Sequence, residues 1–256
     1  MAFKINQEIL DDLFLRYNRI EFIEKDPISL PHQYTKKQDI EIVAFWTAIL
    51  SWGQRTTIIK KAKELFSLMD NAPSDFIKNH YPKDRIAFDN FKHRTFNAVD
   101  TDYFLTFLQN HYQKNESLET AFADFILPND IDIENALKGF YRYFIDNKNF
   151  PARTAKHIST PEKNSACKRL CMFLRWMVRN DSLGVDFGLW KKILPSQLIC
   201  PFDVHVERIA REWNLVERKK ADWKTAKELT ENLRLFSADD PVKYDFALFG
   251  WGVENK

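Results

Sequence analysis

Two residues in the second half of the chain have types and places that allow chemistry. Asp203 lies in CPFDVHVERIAREWNL, residues 200–215. Behind it, Val206, Ile209, Ala210 and Trp213 recur at the i, i+3, i+4, i+7 spacing of a helix with one buried face. Asp203 therefore takes the N-cap position, where a carboxylate accepts backbone N–H groups that have no partner inside the helix. A carboxylate fixed there can also stabilise a cation that develops beside it. Lys168 heads a second helical pattern, KRLCMFLRWMVR. On a helical wheel Cys167, Leu170, Cys171, Leu174, Met177 and Val178 share the inward side. Lys168, Arg175 and Arg179 fall within about 40° of one another, with Met172 among them. Such a stripe is either a solvated face or a track for phosphates with Lys168 looking into a cleft. A lysine at a helix N-terminus is opposed by the dipole. Partial burial would add to that, and both favour the neutral, nucleophilic amine that Schiff-base chemistry needs.

The elements that must position these residues are helical. Only 6 of 256 residues are glycine, which leaves little for hairpins, and neither GxGxxG nor GxxxxGK[ST] occurs. Amphipathic patterns predict helices over 7–17, 58–69, 101–112, 117–126, 132–147, 165–179, 204–213, 222–235 and 240–250. A segment apolar nearly all round, Val43 to Trp52, is too short for a bilayer and predicts a buried helix ended by Gly53. No strand is expected, so the fold class is all-α. The net charge of +2 permits nucleic-acid binding without demanding it. The three cysteines make neither a disulfide framework nor a CxxC pair, and the six histidines show no metal-ligand spacing. The first residues lack the apolar core of a signal peptide, and no run is long enough to span a membrane, which together predict a cytoplasmic protein.

Two separated stretches, EIVAFWTAILSWGQRTTIIKKAKELF (41–66) and PFDVHVERIAREWNL (201–215), resemble the helix-hairpin-helix DNA glycosylase superfamily, the endonuclease III and 8-oxoguanine glycosylase group. The first is similar to that family's early buried helix, which ends in a small-residue-then-glutamine turn. In the second, Asp203, His205, Val206 and Arg208 match the V-D-T-H-V-x-R segment in order. YDFALFGWG, 244–252, is similar to the closing helix. The long separation of lysine and aspartate resembles the archaeal-type 8-oxoguanine glycosylases most, in a bacterial branch. The resemblance covers about residues 38–252. Its hairpin, L-P-G-x-G, is replaced by KHISTPEKNSACK, which contains no glycine. The four spaced cysteines of the iron–sulfur members are absent too, so neither a cluster nor any other cofactor is expected.

The resemblance implies a two-lobed fold with an atypical hairpin. One lobe would run over residues 36–200. Residues 1–35 with 201–256 would form the other, and the active cleft would lie between them. It implies a monomer that excises a damaged base, such as 8-oxoguanine, from double-stranded DNA and nicks the strand as an AP lyase. Lys168 would attack C1′, with Lys163 as the rival on the same segment, and Asp203 would stabilise the sugar cation. Gln54 would enter the space left by the extruded base. Arg55, Arg175, Arg179 and His205 would complete the DNA contacts, although His205 in a first helical turn also suits a backbone-bonding role. Trp52, Met172, Phe249 and Trp251 would line the base pocket. The alternative is a DNA-binding module of the same fold without catalysis. A third possibility is a helical protein-interaction domain with no affinity for DNA.

Overall fold

A computed structural model describes residues 5–255. The helices are α1 (Gln7–Tyr17), α2 (Ile20–Ile23), α3 (Lys37–Leu50), α4 (Arg55–Ser67), α5 (Pro73–Asn79), α6 (Ala98–Tyr112), α7 (Thr120–Ala123), α8 (Glu134–Ile145), α9 (Lys168–Val178), α10 (Val204–Glu212), α11 (Trp223–Arg234) and α12 (Asp245–Glu254). Short 3₁₀ turns join several of them. Among the described residues there is no strand, only an isolated bridge between His93 and Phe96. The protein is all-α, as its glycine-poor, periodic sequence predicts. No helix among the described residues is long and apolar enough to cross a membrane.

The chain forms two compact units. The first takes residues up to Phe22, Ile126–Lys138 and Thr160 onward; the second takes Ile23–Phe125 and Gly139–Ser159. These boundaries differ from the expected ones: residues 126–138 and 160–200 belong to the first unit, and residues 23–35 to the second.

In the first unit α12 is central and packs on both α1 and α10. Two glycines permit the close approach. A Cβ on Gly250 would lie 2.2 Å from the Tyr17 ring of α1. One on Gly252 would lie 3.1 Å from His205 and Ile209 of α10. Residues two apart on a helix point to different sides, so the Gly-Trp-Gly run serves two neighbours at once.

In the second unit α3 is buried from Ile40 to Leu50. Phe45 and Trp46 meet Phe96, Phe104 and Phe140 in edge and stacked contacts. The helix also buries Glu41, which accepts hydrogen bonds from Tyr112, Ser117 and the Leu118 amide. That commitment explains a shortfall. The pattern over 117–126 predicts a helix, but Ser117 and Leu118 are held by Glu41 and only Thr120–Ala123 is α-helical. α3 ends at Leu50, before Gly53, with the Ser51 hydroxyl bonded back to the Thr47 carbonyl. α4 then begins at Arg55, three residues earlier than its expected start.

The Lys168–Asp203 candidate active site

Asp203 is the N-cap of α10, with an extended backbone. Its Oδ1 accepts from the amides of His205 at 2.8 Å and Val206 at 2.9 Å. That leaves Oδ2 for another partner, and Lys168 Nζ lies 3.5 Å from it. The aspartate side chain is 9% exposed and the lysine 38%. One carboxylate thus divides its oxygens, one for the cap and one for a cation. The lysine stays open enough to meet a ligand.

Lys168 is the first residue of α9. The segment before it makes a tight turn without glycine. Thr160 caps the 3₁₀ turn Pro161–Lys163, and Asn164 follows in the left-handed region at φ 56°. Cys167, at φ 50°, is left-handed as well and serves as the N-cap of α9, its thiol turned to the Ser165 carbonyl at 3.2 Å rather than to the helix amides. Glycine ordinarily supplies such backbone states, and asparagine is the non-glycine residue that tolerates them best. The sequence shows the missing glycines but not these replacements; Asn164 was the one available signal. Asn164 is tied to the start of α11 through a 3.2 Å bond to the Asp222 carboxylate. Lys163, the rival nucleophile, is exposed on this turn.

The rest of the basic stripe does not behave as expected. Arg175 and Arg179 are buried, 7% and 1% exposed, and do not form a phosphate track. Arg175 pairs with Asp186 at 3.3 Å and with Asp245. Arg179 pairs with Asp181 at 2.7 Å, Asp186 at 3.1 Å and Asp240 at 2.8 Å. Their guanidinium groups also lie over aromatic rings, Arg175 at 4.3 Å from Phe246 and Arg179 at 5.1 Å from Phe14. Burying a guanidinium without partners is costly, and these carboxylates compensate for it. The Asp245 carboxyl is pushed up to about 6 by burial, with the Asp203 and Asp186 charges adding to it and Arg175 opposing. The Cys200 thiol, three residues before Asp203, lies 3.9 Å from Asp245 and is pushed well up by burial.

His205 has its Nδ1 3.1 Å from the Gly252 carbonyl, and Arg208 donates to the same oxygen at 2.8 Å. Both satisfy the carbonyl end of α12, where cationic and donor groups are favoured. This is the backbone-bonding role that suits a histidine in a first helical turn. Phe249 packs edge-on to His205, and Trp251 packs against Trp213 at 6.3 Å. Each of these two α12 side chains is half-buried on α10, and Met172 is half-buried on α9.

Gln54, Arg55 and Trp52 belong to the second unit. Gln54 is exposed at the N-cap of α4 and makes no side-chain cap bond. Arg55 lies 4.0 Å from Asp26. The Trp52 ring is occupied on one side by the guanidinium of Arg94, 4.9 Å from its centroid, so it is not an open platform. No motif or spacing in the sequence points to Arg94, an exposed cation with a left-handed backbone. Gly53 takes φ 109° there, a backbone state that a side chain would strain. Among the described residues no group of three or more His, Cys, Asp or Glu side chains is arranged to hold a metal ion.

The chain belongs to the family described as "Protein of unknown function (DUF2400)", whose model matches residues 26–254. No curated protein and no solved structure matches it.

Proposed function

We propose that this protein is a DNA base-excision glycosylase with AP-lyase activity, built on the helix-hairpin-helix glycosylase plan and acting on an oxidised purine. The observation that carries the reading is the approach of Lys168 Nζ to the free oxygen of a capping aspartate, at 3.5 Å. The left-handed Asn164 and Cys167 support it further, since they form a turn ahead of the lysine helix where the family has glycines.

The chemistry asks two things of the pair. Lys168 must give up a proton before it attacks, and Asp203 Oδ2 is placed to accept it. The amine then attacks C1′ of a nucleotide extruded from the stack. The C1′–N bond breaks, and its electron pair leaves with the base, which takes the proton that Asp203 accepted from Lys168 and so returns Asp203 to its ionised form. The Asp203 carboxylate stabilises the positive charge that grows on the sugar. Opening of the sugar ring gives a protonated imine on Lys168. Loss of a C2′ proton then expels the 3′ phosphate and nicks the strand.

The test uses duplexes carrying 8-oxoguanine, uracil or an abasic site, with wild type, Lys168→Gln and Asp203→Asn. Base release and borohydride-stabilised adduct are read together. The expected result is release and adduct with 8-oxoguanine for wild type, and neither for Lys168→Gln. If no duplex loses a base or forms an adduct while salt-dependent DNA binding persists, the protein is a binding module and the pair is structural.

A further inference from the structure

The second unit carries a surface pocket of about 280 Å³ that the proposed chemistry leaves unused. Phe88, Ala98 and Leu105 give it an apolar lining, and Arg85, Asp89 and Asp102 give it charge. The arginine is already committed. Its Nε donates to His80 Nε2 at 2.9 Å, its Nη1 to Asp102 at 3.0 Å and Thr106 at 2.6 Å, and its Nη2 to Gln109 at 3.2 Å. His80 is held as the neutral acceptor: its other nitrogen lies 2.9 Å from the Phe76 carbonyl, and burial pushes its pKa down. Arg85 therefore answers one carboxylate of the two. Asp102 remains 61% exposed, and Asp89 is exposed with no ion pair among the described residues.

Ile86, which lines the pocket with Pro82, is 67% exposed. An exposed apolar side chain at a concave, partly apolar site suits a contact surface. The surplus negative charge disfavours a phosphate backbone and favours a cation on an apolar stem. Lysine and arginine side chains have that form, with a methylene stem that packs on apolar surface and a charged head.

We propose that this pocket docks a segment of a partner protein in which a lysine or arginine is flanked by apolar side chains. The charged head reaches Asp89 and Asp102, and the apolar neighbours cover Phe88, Leu105 and the Ile86 rim. The proposal is independent of the Lys168 chemistry.

The test titrates acetyl-Leu-Arg-Leu-amide and acetyl-Leu-Glu-Leu-amide into the ¹⁵N-labelled full chain and follows amide shifts. The expected result is saturable shifts for the arginine peptide confined to residues 81–109, with affinity about tenfold weaker in Asp89→Asn. Asp89 is exposed, so that variant keeps the fold, and Ile86→Ser should weaken binding independently of charge. Equal shifts with the glutamate peptide, shifts unchanged in both variants, or no saturable shift at millimolar peptide would each overturn the proposal. Strand nicking by Asp89→Asn should match wild type, which separates this site from the Lys168 reading.

Discussion

The two ends of α9 carry cations on one side of one helix, yet they do opposite things. At its first residue Lys168 is 38% exposed and faces a single carboxylate oxygen at 3.5 Å. Two and three turns on, Arg175 and Arg179 are buried and surrounded by four aspartates, Asp181, Asp186, Asp240 and Asp245. A wheel puts all three on the same stripe. Whether a stripe member is a site or a strut depends on what the rest of the chain brings to it. The arginines hold α9 within the first unit, and the lysine is what that scaffold presents.

Breaking the scaffold end should have the largest effect. Arg175→Ala or Arg179→Ala leaves buried carboxylates unpaired, and denaturant unfolding should show a loss of about 3–5 kcal/mol. A loss under about 1 kcal/mol would mean the network is not structural. The next effect is a pH dependence. Asp245 ionises near 6 in the folded protein against 3.8 ordinarily. Between about pH 4 and 6 the folded state keeps a proton that the unfolded chain has released. Its contribution is therefore fully present below about pH 4 and falls as pH rises through 6, on the order of 2–3 kcal/mol. Asp245→Asn should flatten that slope in unfolding measured across the window.

At the other end the effects on stability are smaller and those on chemistry larger. Asp203→Ala removes the cap and should cost about 1 kcal/mol, whereas Asp203→Asn keeps it and should cost a few tenths. Both should abolish adduct formation, since neither leaves a carboxylate beside Lys168. Lys168→Gln should shift stability by no more than about 0.5 kcal/mol, because a half-exposed pair contributes little. A larger loss would move Lys168 to the structural side of the comparison.

The sequence made the Asp203 cap legible, because a cap and the apolar period behind it are local. The buried stripe of α9 was legible for the same reason, and so was the core helix α3. The arginine network was not, since its aspartates lie from a few to some seventy residues further along the chain and spacing does not announce them. α5 went unread because it is short, Pro73–Asn79, with proline at its first position. The turn ahead of Lys168 is legible only as a hairpin without glycine. Its left-handed positions are taken by Asn164 and Cys167, and for cysteine no propensity signals that state.

The most direct test of the central claim is to map the covalent adduct. Wild-type protein is reduced with borohydride on an 8-oxoguanine duplex, digested, and the modified peptide sequenced by mass spectrometry. The account predicts the sugar remnant on Lys168. A remnant on Lys163 or on any other lysine, or no adduct where base release is seen, would contradict it.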